Sequence, residues 1–169
     1  MGALMVLQFS NVSARPGSFM FFPLPSYGPA APVELFFTTT GAGTWTVPAN
    51  WNNSNNTIEC IGGGAGGGDL DAGGGGGGGY AKATNVTLGA TASYSIGAGG
   101  SSENAGADSW FNGANCLASS VCGGGGLSTS GTAGGAGGTA KVGIGFAGGA
   151  GGTGSTDGET GGGGGGAGG

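Results

Sequence analysis

The chain has 169 residues, of which 49 are Gly, 3 are Lys or Arg, 8 are Asp or Glu and none is His. Without His it lacks the commonest general base and the commonest metal ligand of proteins, and its net charge of −5 provides no basic surface for nucleic acid or an anionic membrane. The composition therefore disfavours an ordinary enzyme and favours a structural or display protein.

The positions of Gly and Pro divide the sequence into an apolar first part and a glycine-dominated remainder. Residues 1–60 contain only five of the 49 glycines, whereas all six prolines lie within the first 48 residues. Pro favours extended backbone and removes an amide donor, and apolar clusters occur at 1–9 and 19–24. Residues 1–33 are therefore predicted to form an extended apolar arm for assembly or attachment. The alternative is a pro-segment or a loosely packed flap on the chain's own domain.

Short β-strands are predicted from residue 34 onward, because β-favouring residues alternate there and are interrupted by Gly, Pro and Asn. The strand-like segments are 35–40, 44–47, 57–61, 80–88 and 92–96, with further packing side chains at 110–111 and 116–121. Seven side chains are predicted packing anchors: Trp45, Val47, Ile58, Tyr94, Ile96, Trp110 and Phe111. No helical stripe of apolar residues is present. The sequence thus predicts an all-β fold without α-helix, with a β-rich domain at 34–122 that contains inserted glycine tracts.

Four glycine tracts, at 62–68, 73–79, 123–126 and 131–169, allow two interpretations. Gly-rich chains can be flexible linkers. They can also form a bundle of polyproline II (polyglycine II) helices, which have three residues per turn and approach closely only where no Cβ intervenes. Glycines spaced by three, such as Gly145, Gly148 and Gly151, favour the bundle, and residues 133–139 recur as 147–153. Residues 123–169 are therefore predicted to be a polyglycine-helix region whose neighbouring segments bond through their amides and carbonyls.

Several segments together resemble a known family. They are Phe37-Thr-Thr-Thr, Gly43-Thr-Trp-Thr-Val-Pro48, Thr57-Ile-Glu-Cys-Ile-Gly-Gly-Gly, Gly79-Tyr-Ala-Lys-Ala, Ser93-Tyr-Ser-Ile-Gly-Ala-Gly-Gly100 and Gly106-Ala-Asp-Ser-Trp-Phe-Asn-Gly113. In this order, over about residues 36–169, they are similar to the glycine-rich domain family of bacteriophage tail fibre and receptor-binding (adhesin) proteins. The resemblance implies a virion component, often at a fibre tip, in which polyglycine helices carry variable loops that touch the host.

The inventory of reactive side chains predicts no catalytic, cofactor-binding or metal site. Ser is frequent but has no His or other base beside it. Asp69 and Asp71 supply too few ligands for calcium and are interpreted as a solvated turn. The three cysteines leave three alternatives: buried free thiols, one disulfide between Cys116 and Cys122, or an interchain bond.

The function predicted from the sequence is a non-enzymatic structural virion protein, a subunit of a phage tail fibre or similar appendage. Exposed loops at 50–56, 101–109 and 153–160 would contact a host surface receptor. The expected partners are copies of the chain, a trimer being one arrangement, and other virion proteins, with no nucleic acid. Residues 1–9 lack the features of a signal peptide, and no apolar run approaches a membrane span. The alternative is a self-assembling extracellular filament or a cell-surface glycine-rich structural protein.

Overall fold

The computed structural model describes residues 3–9, 32–156, 162 and 164–168. It contains ten β-strands in two five-stranded antiparallel sheets. Among the described residues there is no α-helix, and a short 3₁₀ turn lies at Cys116–Ala118. The predicted all-β class is therefore confirmed. The strands are β1 (Leu4–Phe9), β2 (Val33–Phe37), β3 (Gly41–Thr46), β4 (Asn56–Ile61), β5 (Tyr80–Thr84), β6 (Thr91–Ile96), β7 (Ser109–Phe111), β8 (Val121–Gly123), β9 (Ala140–Val142) and β10 (Ile144–Phe146).

The two sheets lie face to face and are joined by short connections. Sheet A has the strand order β10-β5-β4-β1-β2, and sheet B has the order β3-β6-β7-β8-β9. The chain passes between the sheets four times, from β2 to β3, from β3 to β4, from β5 to β6 and from β9 to β10. The last passage turns at Gly143, whose φ of 98° is a conformation that residues with a Cβ rarely adopt.

The core lies between the sheets because each strand alternates inward and outward side chains. Met5 and Leu7 of sheet A and Val121 of sheet B are fully buried in it. Complete burial of an aliphatic side chain contributes about 1.5–3 kcal/mol. Three of the predicted packing anchors are also fully buried, Ile58, Ile96 and Phe111, and three more pack against this core while partly exposed, Trp45, Val47 and Tyr94.

Trp110 does not belong to this core. Its neighbours Ser109 and Phe111 are the buried residues of β7, so alternation places Trp110 on the opposite face of the sheet. Trp110 is therefore the one predicted packing anchor that lies outside this core. The indole is half-buried beside Cys122, its partner across the β7–β8 pair.

The beginning of the chain is part of the sandwich rather than an arm. Strand β1 lies between β4 and β2 and is paired with both. The predicted arm at 1–33 is therefore wrong for residues 4–9, because Met5 and Leu7 complete the core. Strand β2 begins within the predicted arm as well, at Val33. Residues 1–2 and 10–31 of the predicted arm lie outside the described residues.

The glycine-rich tracts continue the strands beyond one end of the sandwich. Residues 62–68 follow β4 and residues 73–79 precede β5, so the Ile61–Tyr80 strand pair is prolonged by a hydrogen bond from the Gly62 amide to the Gly79 carbonyl, 3.0 Å. We call such extended segments glycine runs. The runs with described residues are 62–68, 73–79, 97–100, 104–107, 124–127, 133–139, 147–154 and the described part of 162–168.

The run 73–79 occupies the centre of these segments. All seven of its residues are buried. Five of their amides donate hydrogen bonds to other segments, and all seven of their carbonyls accept one. The partners recur every third residue: the amides of Gly73, Gly76 and Gly79 donate to the carbonyls of Gly131, Leu127 and Gly124. Backbone bonding between the runs, rather than side-chain packing, therefore orders this part of the chain.

The predicted domain boundary at 122/123 does not separate two bodies. Strand β8 crosses it, and β9 and β10 lie beyond it. The Gly77 amide also donates to the Gly149 carbonyl at 2.9 Å, which joins runs from both predicted regions. Strands β9 and β10 were missed at the sequence level because three-residue strands containing Gly or Lys leave almost no alternation to detect.

A single methyl group should distinguish crowded from open glycine positions. A Cβ at Gly76 would overlap the carbonyl of Ala136, whereas a Cβ at Gly64 would lie 3.6 Å from its nearest neighbour, the carbonyl oxygen of Gly76. We expect Gly76→Ala to lower the free energy of unfolding by about 2 kcal/mol or more, because backbone cannot move aside cheaply. The matched control Gly64→Ala should raise it by about 0.4–1 kcal/mol through the unfolded state.

Denaturant titration of both variants measures this difference. Equal effects at the two positions would contradict a bundle in which close backbone approach excludes side chains.

Candidate functional site

The loops that join successive glycine runs lie at the end of the molecule farthest from the sandwich. The runs 62–68, 97–100 and 124–127 leave β4, β6 and β8 at the same end of the sheets, and after a turn the next run returns to β5, β7 or β9. We call residues 69–72, 101–103 and 128–132 the end loops. They are the candidate contact surface, because binding residues are often carried on loops that a rigid scaffold positions.

The first end loop presents an aliphatic side chain in an unfavourable backbone conformation. Leu70 is 82% exposed and has a φ of 50°. The loop is closed by a hydrogen bond from the Ala72 amide to the Asp69 carbonyl, 3.1 Å. A non-glycine residue at positive φ costs about 1–2 kcal/mol, and such strain concentrates at functional positions. An exposed Leu held in this way is therefore the most distinctive feature of the surface.

The second end loop presents an acidic side chain in the same way. Glu103 is exposed and has a φ of 58°. Its amide donates to the Gly67 carbonyl at 3.0 Å, which fixes the loop to a glycine run. The Ser102 hydroxyl donates to the Asp69 carboxylate at 3.3 Å. The first and second end loops are thus neighbours that share a polar contact.

The third end loop is a tight turn anchored on two runs. Ser130 and Ala133 exchange backbone hydrogen bonds of 3.2 Å, and Gly131 at the turn has a φ of 59°. The Gly131 carbonyl accepts from the Gly73 amide at 3.0 Å, and the Thr132 carbonyl accepts from the Gly154 amide at 2.8 Å. Backbone bonds to neighbouring runs therefore hold the base of this loop.

The end loops combine carboxylates and hydroxyls with little positive charge nearby. Asp69, Asp71 and Glu103 are their acidic residues. One carboxylate oxygen of Asp71, Oδ1, is buried and has no hydrogen-bond partner among the described residues. The interpretation of Asp69 and Asp71 as a solvated turn therefore does not describe this oxygen of Asp71. The two described lysines lie elsewhere, where Lys82 pairs with Glu59 at 3.3 Å and Lys141 with Asp108 at 2.8 Å.

The predicted contact loop at 101–109 is only partly a loop. Residues 104–107 form a glycine run, in which the Ala107 carbonyl accepts from the Gly63 amide at 2.9 Å. Ser109 is fully buried, and its hydroxyl accepts from the Gly97 amide at 2.9 Å. The candidate contact surface in this segment is therefore limited to about residues 101–103. In the predicted loop at 153–160, Thr153 and Thr156 are exposed and residues 157–160 lie outside the described residues.

The predicted contact loop at 50–56 lies at the opposite end of the sandwich. Its last residue, Asn56, begins β4 and is buried, with its side-chain amide donating to the Val86 carbonyl at 3.0 Å and its side-chain oxygen accepting from the Val86 amide at 2.9 Å. The Asn53 side-chain oxygen accepts from the Leu88 amide at 2.9 Å. This loop closes one end of the core, and it cannot act on a ligand together with the end loops.

The cysteines adopt the intrachain pairing among the three alternatives. Cys116 and Cys122 form a disulfide, while Cys60 is a buried free thiol. Burial raises the pKa of the Cys60 thiol, which keeps it protonated and unreactive. Asp108 lies within 4.8 Å of both disulfide sulfurs. Disulfide formation removes the thiolates that a metal would need, and Lys141 occupies the carboxylate.

Two parts of the candidate contact surface were not predicted from the sequence, Leu70 and the loop 128–132. The sequence does contain a signal for Leu70, which is a single Leu between two glycine tracts. An apolar residue outside any strand has no inward face to occupy, so its exposure could have been predicted. The sequence Ser128-Thr-Ser-Gly-Thr132 is also typical of a turn.

Comparison with models of known protein families, with curated proteins and with solved structures finds no significant match to this chain. Within the described part of the chain, no helix has the length and apolar character needed to cross a bilayer.

The phenol of Tyr80, on the outer face of sheet A, should make stability depend on alkaline pH. Burial, followed by the charge of Glu59 and a hydrogen bond to it, raises the pKa of Tyr80 from 10.0 to about 12. The folded state therefore favours the neutral phenol, and this contribution is complete below pH 10 and lost as the pH rises from 10 to 12. We expect Tyr80→Phe to lose less stability than the parent chain over this interval.

Urea titrations of both proteins between pH 9 and about pH 12 measure the effect. Parallel stability curves would show that Tyr80 does not titrate with a raised pKa in the folded chain.

Proposed function

We propose that this chain is a non-enzymatic structural virion protein, a subunit of a phage tail fibre or similar appendage that presents host-contacting loops on a rigid glycine-rich stem. One observation carries the proposal: the end loops all project from one end of a hydrogen-bonded set of glycine runs. The sequence resemblance to glycine-rich tail fibre and adhesin proteins supports the same function.

The stem is proposed to be a polyglycine II bundle. In support, the hydrogen bonds of the central run repeat every third residue, which is the period of the polyproline II helix. Among the described glycines, positive φ occurs at Gly41, Gly131 and Gly143, none of which lies inside a glycine run. The negative φ of a left-handed polyproline II helix is thus available throughout the runs.

Recognition is proposed to depend on side chains of the end loops, because a glycine run offers a ligand only backbone groups. Carboxylates and hydroxyls there can exchange hydrogen bonds with a host surface receptor, and Leu70 adds an apolar contact. The composition supports a binding rather than a catalytic role, since no His is present in the sequence and the described lysines are both engaged in ion pairs.

A self-assembling extracellular filament or a cell-surface glycine-rich structural protein is the second candidate. The same stiff runs would serve such a protein, and the exposed apolar residues of sheet A favour association of copies. Deleting residues 1–33 would not separate the candidates, because it removes strand β1 from the core. The two candidate functions differ in where the protein is found, on a virus particle or on a cell surface.

Far-ultraviolet circular dichroism with sizing tests the polyglycine II bundle. We expect a polyproline-like negative band and a compact hydrodynamic radius. Because Gly76→Ala should disorder the runs, it should reduce the negative band and increase the radius. A coil-like spectrum with an expanded radius in the parent chain would contradict an ordered bundle.

Immunogold electron microscopy of phage particles that contain the chain tests the appendage function. Label is expected on tail appendages, and particles carrying Leu70→Gly should adsorb less to host cells. This substitution should change the free energy of unfolding by no more than about 1 kcal/mol, since relief of positive φ is offset by the greater entropy of unfolded Gly.

Leu117→Ser is the matched control for adsorption, because Leu117 is as exposed but lies at the opposite end of the sandwich. Label on the cell surface in the absence of particles would favour the filament or cell-wall candidate. Equal adsorption of the Leu70→Gly and Leu117→Ser particles would show that Leu70 does not contribute to contact with the host.

A further inference from the structure

The outer face of sheet A, directed away from the core, carries two rows of mainly apolar side chains across all five strands. Paired residues on neighbouring strands share a face, and the pairings connect these rows. The row nearer the glycine runs contains Leu4, Ile61, Tyr80 and Phe146, and the next row contains Phe36, Val6, Glu59, Lys82 and Ile144. We call this surface the sheet A face.

The apolar side chains at both margins of the sheet A face are open to solvent. Ile144 is 83% exposed and Phe146 61% exposed on β10, and Phe36 is 58% exposed on β2. Phe146 also stacks on Tyr80, with ring centroids 6.2 Å apart and an interplanar angle of 20°. Large contiguous apolar surface of this kind on a soluble protein marks an interaction site.

The two apolar rows of the sheet A face carry balanced charges. Their charged groups are Glu59 and Lys82, which pair at 3.3 Å. Glu34 lies on the same face beyond these rows, beside Gln8, further negative charge lies on the end loops, and the whole chain carries −5. Two copies of such a chain repel each other wherever their acidic surfaces meet. Through the two apolar rows of the sheet A face, two copies can approach with less of that cost.

We propose that the sheet A face binds the same face of a second copy of this chain in a two-fold symmetric dimer. A two-fold interface joins one surface to itself, and the two rows suit such an interface because they are mainly apolar and their charges balance. Two sheets can pack in this way about 10 Å apart, with side chains interdigitated. The inference does not depend on the appendage function, because it concerns only association of the chain with itself.

Sedimentation velocity of the full chain over a range of concentrations, with Ile144→Glu and Leu117→Glu as matched variants, tests the proposal. Ile144 and Leu117 are similarly exposed, at 83% and 77%, so both substitutions make the same chemical change at open positions. The parent chain should dimerise, Ile144→Glu should raise the dimer dissociation constant by about 100-fold by burying a charge, and Leu117→Glu should leave it unchanged.

Salt provides an independent measurement. Like-charged copies repel, and raising NaCl from about 0.05 to 0.5 M screens that repulsion. The dissociation constant of an apolar dimer should therefore fall. A dimer held by ion pairs would instead show a higher dissociation constant. If Ile144→Glu does not fold, Phe36→Glu at the opposite margin replaces it in the comparison.

Three results would overturn the proposal. A parent chain that stays monomeric at all concentrations would mean that no second copy covers the face. Oligomers insensitive to Ile144→Glu and Phe36→Glu would mean that copies meet elsewhere. Equal weakening by Leu117→Glu would show that added charge, rather than the sheet A face, controls association.

Discussion

The structure depends on the close approach of peptide groups that have no Cβ between them. In the run 73–79 every carbonyl accepts a hydrogen bond from another segment, and a Cβ at Gly76 would overlap a neighbouring carbonyl. Gly contributes no side-chain burial and loses more backbone entropy on ordering than other residues. Hydrogen bonds between buried backbone groups must therefore supply much of the stability. This explains why Gly dominates at positions where even Ala would not fit.

The sandwich and the glycine runs support each other because they share strands. Side-chain packing around Met5, Ile58 and Phe111 fixes the positions at which the runs begin, and the Ile61–Tyr80 pair sets their register. The runs carry that register outward to the end loops. Leu70 and Glu103 can remain at positive φ because hydrogen bonds to the runs define their flanking backbone. Order at the proposed contact surface thus originates in a core on the other side of the bundle.

The sequence predicted those parts of the fold that local pattern determines. Alternation identified Ile58 and Ile96, and glycine spacing indicated ordered runs, although it could not name their partners, because Gly77 bonds to Gly149 across a long stretch of chain. Strand β1 was missed because Leu4-Met5-Val6-Leu7 is apolar at every position, so no alternation marks its inward face. Leu70 and the loop 128–132 were missed because their exposure follows from where the runs turn, which is a property of the bundle.

The two proposed surfaces place a geometric condition on any assembly that uses both. The glycine runs extend along the strand direction, so the end loops lie beyond the edge of the sheet A face rather than above it, and a dimer through that face leaves them open. A two-fold axis across the strands would send the two sets of end loops in opposite directions. An axis parallel to the strands would send both sets the same way. Only the second arrangement lets both copies contact one host surface, so an appendage built from this dimer requires an axis along its stem.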